Sequence, residues 1–225
     1  MSIDPLNDNA IVDSWVKNAL PWTTAVREGL IESRRLCTDQ AIVDAVLRCA
    51  PQSVIDLGCG EGWLTRKLVD CGLQVIGLDV VPEMIEEARR AGKGDFRVLS
   101  YEEIEAGKLD LTVDVVVCNF SLLGKESVER VVRAASRLLN PQGALIVQTL
   151  HPLAECGEDA YQDGWREGTW AGISSDFADA APWYFRTLES WVNLFVRSGF
   201  QLRELQEPLH PGTGKPASVI FIALL

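Results

Sequence analysis

A glycine-rich turn that follows a short apolar run is the segment of this sequence best suited to hold a ligand. Ser53–Leu57 has the pattern of a buried strand, and Gly58, Gly60 and Gly62 follow it before a helical pattern begins. Glycines are needed where the backbone turns sharply and approaches a ligand closely, because a Cβ would obstruct both. Asp79 ends the next strand, where a carboxylate can accept hydrogen bonds from both hydroxyls of a ribose. The sequence therefore predicts a nucleoside-containing ligand.

The chemistry of this turn argues against a nicotinamide dinucleotide. The dinucleotide fingerprint GxGxxG needs a small third residue for close packing of helix on strand. Counted from Gly58, that position is Trp63, the bulkiest side chain available. Asp56 would also place a negative charge near a pyrophosphate, and that charge suits a cationic ligand better. A nicotinamide-dependent oxidoreductase is therefore the weaker alternative.

The elements that must position these residues alternate between strand and helix. Such alternation predicts βαβ units, hence an α/β, doubly wound fold with a mostly parallel sheet and right-handed crossovers. The Val-rich run 113–118 is typical of a parallel strand that is covered on both faces. The predicted strands are 53–57, 73–78, 96–99, 113–118, 144–150, 200–206 and 217–224, and the predicted helices are 62–71, 82–90, 101–106, 126–139 and 188–198.

One domain over residues 1–225 accounts for the chain, and its parts differ in composition. Residues 1–50 have a helical pattern, with Trp15, Val16, Ala19 and Leu20 on one stripe, and we interpret them as a helical cap. Residues 51–151 form the predicted cofactor-binding core and residues 187–225 its C-terminal helix and strands. Residues 152–186 have no clear period but are rich in aromatic residues, which favours an ordered lid insert over disorder.

Composition narrows the class of partner. The formal net charge of −11 argues against binding to a nucleic-acid backbone, which needs a basic face. No apolar run approaches the roughly 20 residues needed to cross a bilayer, and the polar N-terminus is not a signal peptide. Two histidines and six scattered cysteines predict no metal site. We expect a cytoplasmic protein with a small-molecule substrate, and the sequence leaves open whether it is a homodimer.

Four motifs resemble those of class I S-adenosylmethionine-dependent methyltransferases of the small-molecule type. The resemblance covers roughly residues 34–150 and continues into the last strands. It implies a Rossmann-like, seven-stranded sheet with an antiparallel last strand, and methyl transfer from S-adenosylmethionine to a small molecule. The motifs are Asp56-Leu57-Gly58-Cys59-Gly60-Glu61-Gly62, Gly77-Leu78-Asp79, Val113-Asp114-Val115-Val116-Val117-Cys118-Asn119 and Leu138-Leu139-Asn140-Pro141-Gln142-Gly143-Ala144-Leu145.

The resemblance also implies roles for individual residues in binding the cofactor. Gly58 and Gly60 would line its methionine moiety, and Asp79 would hold the ribose. Val80 and Met84 would pack on the adenine, although Met84 is equally well explained as helix packing.

Further cofactor contacts are implied at the edges of this site. An Asp that the family often carries after its third strand is absent, and Ser100 or Tyr101 would replace it. Arg34 or Arg35 would pair with the methionine carboxylate, unless both lie on a solvated helix face. Asp56 and Asn119 belong to the same expected site.

His151 is the candidate general base. It follows the fifth predicted strand, at the edge where ligands bind in open α/β sheets, and its reference pKa near 6.5 suits proton transfer. Alternatively, His151-Pro152 only turns the chain out of the strand. His210 is a weaker candidate for substrate contact, in what is otherwise a connection between antiparallel strands. A module that binds the cofactor without catalysis remains the other alternative.

Overall fold

The structure, a computed structural model, describes residues 6–225, so the first five residues of the acidic N-terminus lie outside the described residues. A seven-stranded sheet runs in the order β3-β2-β1-β4-β5-β9-β8. Its strands are β1 (Ser53–Leu57), β2 (Gln74–Asp79), β3 (Asp95–Val98), β4 (Val113–Asn119), β5 (Leu139–Thr149), β8 (Gln201–Gln206) and β9 (Val219–Leu224).

Strand direction confirms the predicted fold class. Strands β1 to β5 pair in parallel, and β9 pairs antiparallel with both β5 and β8. The order reverses between β1 and β4, so the crevice for a ligand is expected beyond the carboxyl ends of these two strands. Gly58, Asp79 and Asn119 lie at that edge because each ends or follows a parallel strand.

Helices cover both faces of the sheet, which explains the unbroken apolar strands. Alternate residues of β4 point to opposite sides: Val115 and Val117 belong to one apolar cluster, and Val116 to the other. The helices are α1 (Asp8–Lys17), α2 (Ala19–Arg27), α3 (Asp39–Arg48), α4 (Trp63–Asp70), α5 (Pro82–Ala91), α6 (Tyr101–Glu105), α7 (Glu126–Ala135), α8 (Pro152–Glu155) and α9 (Leu188–Arg197). Among the described residues, no helix is both long and apolar enough to cross a membrane.

The predicted apolar stripe of the N-terminal cap is wrong in part. Val16 and Leu20 are 44% and 63% exposed, while Ser14 and Asn18 are buried. The buried face of each helix lies elsewhere: α1 buries Ile11 and Ser14, and α2, which begins after Asn18, buries Ala19, Thr23 and Ala25. After α2, residues 34–38 form a π-helical turn that leads into α3.

The insert is ordered by contacts with the cap. It contains α8 and a two-stranded antiparallel sheet of β6 (Gly164–Arg166) and β7 (Trp183–Phe185). The side-chain amide of Asn18 donates to the carbonyl of Ala178 at 2.7 Å and accepts from its N–H at 2.9 Å. The rings of Trp15 and Trp170 meet edge to face, with centroids 5.5 Å apart.

The boundary between α7 and β5 also differs from prediction. The helix ends at Ala135, a single 3₁₀ turn follows, and β5 begins at Leu139, which pairs with Val113. Residues 140–143, which separate the predicted helix 126–139 from the predicted strand 144–150, form a bulge within β5. Gln142 adopts a φ of +68° there, so the ladder resumes only at Ala144.

Candidate functional site

The glycine turn follows β1 and has three left-handed residues. Gly58, Gly60 and Gly62 have φ values of +72°, +56° and +83°. A Cβ on Gly58 would lie 2.3 Å from the Cβ of Ser121, and one on Gly62 would lie 2.5 Å from Cε1 of Phe96. These two glycines therefore permit close packing of the turn on its neighbours. Around Gly60 an added Cβ would meet ordinary contacts only, so this residue has room on its ligand side.

Asp79 fastens the end of β2 to the glycine turn. Its Oδ2 accepts a hydrogen bond from the N–H of Gly60 at 2.8 Å, and its Oδ1 accepts one from the N–H of Val81 at 2.9 Å. Burial raises the pKa of this carboxyl, while the hydrogen bonds from Val81 and Gly60 oppose that rise. A carboxylate has about four lone-pair positions, so acceptor capacity remains for two ribose hydroxyls.

Asp56 lies behind the turn instead of facing the crevice. Its side chain is 1% exposed and accepts a hydrogen bond from the hydroxyl of Thr65 on α4 at 2.8 Å. Burial raises the pKa of this carboxyl to about 7. Direct contact with a bound cation, the simplest form of the sequence expectation, is therefore not the arrangement observed.

Arg34 is the buried member of the arginine pair. It is 8% exposed, whereas Arg35 is exposed, so the solvated-face interpretation holds for Arg35 alone. Its Nε donates to Asp39 at 3.0 Å, and its guanidinium lies 4.8 Å from the centroid of the Trp63 ring and 5.7 Å from that of Trp22. Its Nη2 is buried and has no partner among the described residues. The Nη2 of the charged guanidinium is thus a hydrogen-bond donor that remains available to a ligand near the glycine turn.

The two residues predicted to pack on adenine differ in exposure. Val80 is 37% exposed, at the end of β2, and Met84 is buried against Ala19 and Val81. The sulfur of Met84 would lie 3.7 Å from a Cβ on Gly60, which puts the side chain beside the glycine turn.

Ser100 and Tyr101 have local hydrogen-bonding roles. Ser100 caps α6: its hydroxyl accepts from the N–H of Glu103, whose carboxylate accepts from the N–H of Ser100. The hydroxyl of Tyr101 donates to the carbonyl of Ser121 at 3.3 Å, over Gly58. Burial raises the pKa of Tyr101, so the phenol remains a neutral donor.

The carboxyl ends of β4 and β5 carry polar side chains that sequence reasoning missed in part. Asn119 and Gln148 are register partners, so their side chains share one face of the sheet. The Nε2 of Gln148 donates to the carbonyl of Thr38 at 3.2 Å and to the hydroxyl of Ser218 at 3.1 Å. The Oδ1 of Asn119, the Oε1 of Gln148 and the Oγ1 of Thr38 are buried and have no hydrogen-bond partner within residues 6–225. A lone glutamine in the apolar run 144–150 was the available signal.

His151 follows β5 and is 1% exposed. Its Nε2 lies 2.7 Å from Oε1 of Glu207, and its Nδ1 is buried without a partner in the described chain. Sequence analysis missed Glu207 because 56 residues separate the pair. His210 lies apart from this pair: its Nδ1 accepts from the N–H of Gly212, and its Nε2 is 3.6 Å from Glu32.

An aromatic cavity lies between the ends of β4 and β5 and the insert. Its volume of about 10 Å³ leaves room for roughly one water molecule. Arg186 lies 4% exposed in its wall and donates to the carbonyls of Gly124 and Lys125, and burial lowers the pKa of its guanidinium. The other lining residues are Leu122, Leu123, Thr149, Leu150, Pro152, Glu155, Trp183, Tyr184, Phe185 and Trp191.

Comparison with known proteins identifies the family. Residues 32–205 match the profile of a protein family described as "Methyltransferase domain". The chain belongs to this methyltransferase family. The methyltransferase is 35% identical to the ubiquinone biosynthesis O-methyltransferase of Xanthomonas oryzae pv. oryzae over 114 residues, which are 48% of this chain and 47% of the relative. The match thus spans about half the length of that curated relative.

Solved structures agree on the fold of the methyltransferase. An S-adenosylmethionine dependent methyltransferase from Mesorhizobium loti is similar at a TM-score of 0.62 and 23% identity, over 82% of this chain and 96% of that one. A glycopeptide N-methyltransferase complexed with S-adenosyl-L-homocysteine is similar at a TM-score of 0.63 and 18% identity, over 81% and 87%. The prediction of a class I S-adenosylmethionine-dependent methyltransferase is confirmed.

Proposed function

We propose that this methyltransferase transfers the methyl group of S-adenosylmethionine to a hydroxyl or amine of a small molecule. The observation that carries the proposal is the link between Asp79 and the glycine turn, in a chain of this family. This link supports the proposal because a carboxylate that could bind a ribose lies beside a backbone where an added Cβ at Gly60 would meet no close contact. The net charge of −11 disfavours a nucleic-acid substrate. The cytoplasm remains the proposed compartment.

The amino-acid end of the cofactor fits two unpartnered atoms. The Nη2 of Arg34 is a buried donor that a carboxylate would satisfy, with the geometry that arginine suits. The Oδ1 of Asn119 is a buried acceptor that an ammonium would satisfy. Asp56, beneath the turn, would add negative potential under the same cationic end without touching it.

The nucleoside end fits the residues around Asp79. The free lone pairs of the Asp79 carboxylate would accept hydrogen bonds from the ribose hydroxyls. Val80 and Met84 would form the apolar contacts with the adenine. Ser100 can still donate its hydroxyl hydrogen, because its oxygen is used only as an acceptor in the cap. The N–H of Tyr101, in the first turn of α6, is the second group available to the adenine edge.

His151 is the proposed base for the transfer. When bound, S-adenosylmethionine would supply a methyl group on a cationic sulfur, which would keep the electron pair of the carbon–sulfur bond on transfer. Nδ1 of His151 would accept the proton that the hydroxyl or amine loses as its lone pair bonds to the methyl carbon. Alignment at roughly 3–3.5 Å is the main requirement, and the base is needed because the acceptor atom is protonated.

The insert and the cap would close the site as a lid. Asn18 joins them through Ala178, and the aromatic cavity below has no room for a substrate in this closed arrangement. The lid must therefore open to admit an acceptor, and on closing it would exclude water. The same small cavity favours a second candidate, a module that binds the cofactor without catalysis.

Calorimetric titration with S-adenosylmethionine, S-adenosylhomocysteine and NAD tests the cofactor half of the proposal. We expect micromolar binding of the first two and no heat from NAD; binding of NAD alone would overturn it. Transfer of a labelled methyl group to a panel of small hydroxyl and amine compounds tests the catalytic half. Tight cofactor binding without transfer to any compound would favour the non-catalytic module.

A further inference from the structure

Buried polar atoms without partners gather at the carboxyl edge of the sheet. Five of the six such atoms in residues 6–225 belong to the π-helical turn and to the ends of β4 and β5. They are Arg34 Nη2, Thr38 Oγ1, Asn119 Oδ1, Gln148 Oε1 and His151 Nδ1. A buried polar atom without a hydrogen bond is destabilising, so such a gathering is expected where a ligand completes the bonds.

One hydrogen bond, one strand pairing and proximity along the chain connect these segments. The side chain of Gln148 reaches the carbonyl of Thr38, and Asn119 is its register partner in the adjacent strand. His151 follows Gln148 by three residues. Arg34 and Asn119 are accounted for by the cofactor, so Thr38, Gln148 and His151 remain without a ligand.

The orientation of the Gln148 amide leaves its oxygen as the atom without a partner. Its Nε2 donates to the carbonyl of Thr38, and a carbonyl can only accept. Reversing the amide would set two oxygens against each other. Its Oε1, 1% exposed with the rest of the side chain, therefore presents lone pairs alone.

Glu207 likewise determines which ring nitrogen of His151 is free to accept a hydrogen bond. A carboxylate oxygen has no hydrogen to give, so the ring nitrogen 2.7 Å from it, Nε2, must carry the hydrogen. In the neutral ring Nδ1 then has the free lone pair. The hydroxyl of Thr38 can donate or accept a hydrogen bond, so it does not change the acceptor character of the other two atoms.

We propose that Glu207 and the Thr38 carbonyl lock His151 Nδ1 and Gln148 Oε1 as hydrogen-bond acceptors, which selects methyl acceptors that present hydroxyl O–H or amine N–H groups. A substrate carboxylate has no hydrogen to donate, so the lone pairs of His151 Nδ1 and Gln148 Oε1 would stay without hydrogen bonds. The inference rests on the proposed methyl transfer, since it takes this region as the acceptor subsite. Glu207 is in this account a positioning residue that acts through His151.

The tautomer of His151 can be measured by NMR, because the chain has two histidines and their ring signals are few enough to assign. In protein labelled with ¹⁵N-histidine, the two ring nitrogens of a neutral tautomer have well-separated shifts. We expect His151 as the Nε2–H form, and Glu207→Gln to mix or reverse the tautomers at that ring alone. Glu32→Gln, at the other histidine–glutamate pair, is the matched control and should affect only His210. An Nδ1–H form in the unaltered protein would overturn the lock.

Three fragments with the same ring test the selection: benzyl alcohol, benzylamine and benzoate, each added to the protein with S-adenosylhomocysteine. The first two should shift the His151 resonances and benzoate should not, and Glu207→Gln should weaken the shifts several-fold. An equal response to benzoate, or no response to any fragment, would overturn the proposal. Failure of S-adenosylhomocysteine to bind would instead overturn the proposed function.

Discussion

The guanidinium of Arg34 lies over the ring of Trp63, with its carbon 4.8 Å from the ring centroid. Trp63 is the side chain that argues against a dinucleotide at the glycine turn, and here it supports a cation at the same turn. A cation over an indole face is stabilised by the ring quadrupole, by about 2 kcal/mol or more when the pair is desolvated. The same bulky residue that argues against a pyrophosphate thus contacts the guanidinium that we propose as the partner of the cofactor carboxylate.

Arg34→Ala should weaken binding of S-adenosylhomocysteine by about 1.5–3 kcal/mol, the usual contribution of a hydrogen bond to a charged group. Calorimetric titration measures the change. Arg35→Ala is the control, because that neighbouring side chain is exposed, and it should bind normally. Equal losses in the two variants would remove Arg34 from the site.

Asp79→Ala should weaken cofactor binding by about 1.5–3 kcal/mol as well, because the ribose loses a charged acceptor. Asp70→Ala, at an exposed carboxylate paired with Lys93, serves as the control for loss of charge. Unchanged affinity in the Asp79 variant, with the fold intact by circular dichroism, would contradict the ribose assignment.

His151→Ala should spare cofactor affinity and lower turnover by roughly 10²–10⁴-fold, the range of general acid–base catalysis. His210→Ala provides the comparison and should retain most activity. If the His151 variant were fully active, the residue would only turn the chain and tie Glu207 to the end of β5.

Gly62→Ala should destabilise the fold more than Gly72→Ala. Both positions have a positive φ, of +83° and +90°, but only the first also places a Cβ 2.5 Å from a ring carbon of Phe96. The shared backbone strain is roughly 1–2 kcal/mol, and overpacking adds about 1–3 kcal/mol at Gly62 alone. Urea unfolding midpoints give both values, and equal losses would show that the contact with Phe96 relaxes freely.

Asp56 should make stability depend on pH. Burial raises its pKa in the folded protein to about 7, above the ordinary value of 3.8, so the protonated form stabilises the fold at low pH. That contribution is lost as the pH rises from about 4 through about 7. The stability of Asp56→Asn relative to the unaltered protein should therefore increase over this interval and level off above it. A difference that is constant with pH would contradict the raised pKa.

Local patterns predicted the sheet and the glycine turn, because both follow from short-range sequence. Gly58 and Asp79 end neighbouring parallel strands, so their proximity follows once the strands are recognised. The tie of His151 to Glu207 could not be predicted, since it depends on how a distant loop closes. The hairpin of β6 and β7 escaped notice because strands of three residues are too short to show a period.

The cap shows the limit of helical periodicity. A stripe through Val16 and Leu20 looked continuous in the sequence, but α1 buries Ile11 and Ser14 instead, and α2 begins anew after Asn18 with Leu20 exposed. Asn18 itself is buried because it bonds to the insert backbone, a tertiary contact that no local pattern reveals.

A crystal structure with bound S-adenosylhomocysteine tests the central claim most directly. We expect the carboxylate of the ligand within hydrogen-bond distance of Nη2 of Arg34, and its ribose hydroxyls on the carboxylate of Asp79. A ligand that leaves both groups untouched, or that binds away from the glycine turn, would contradict the account.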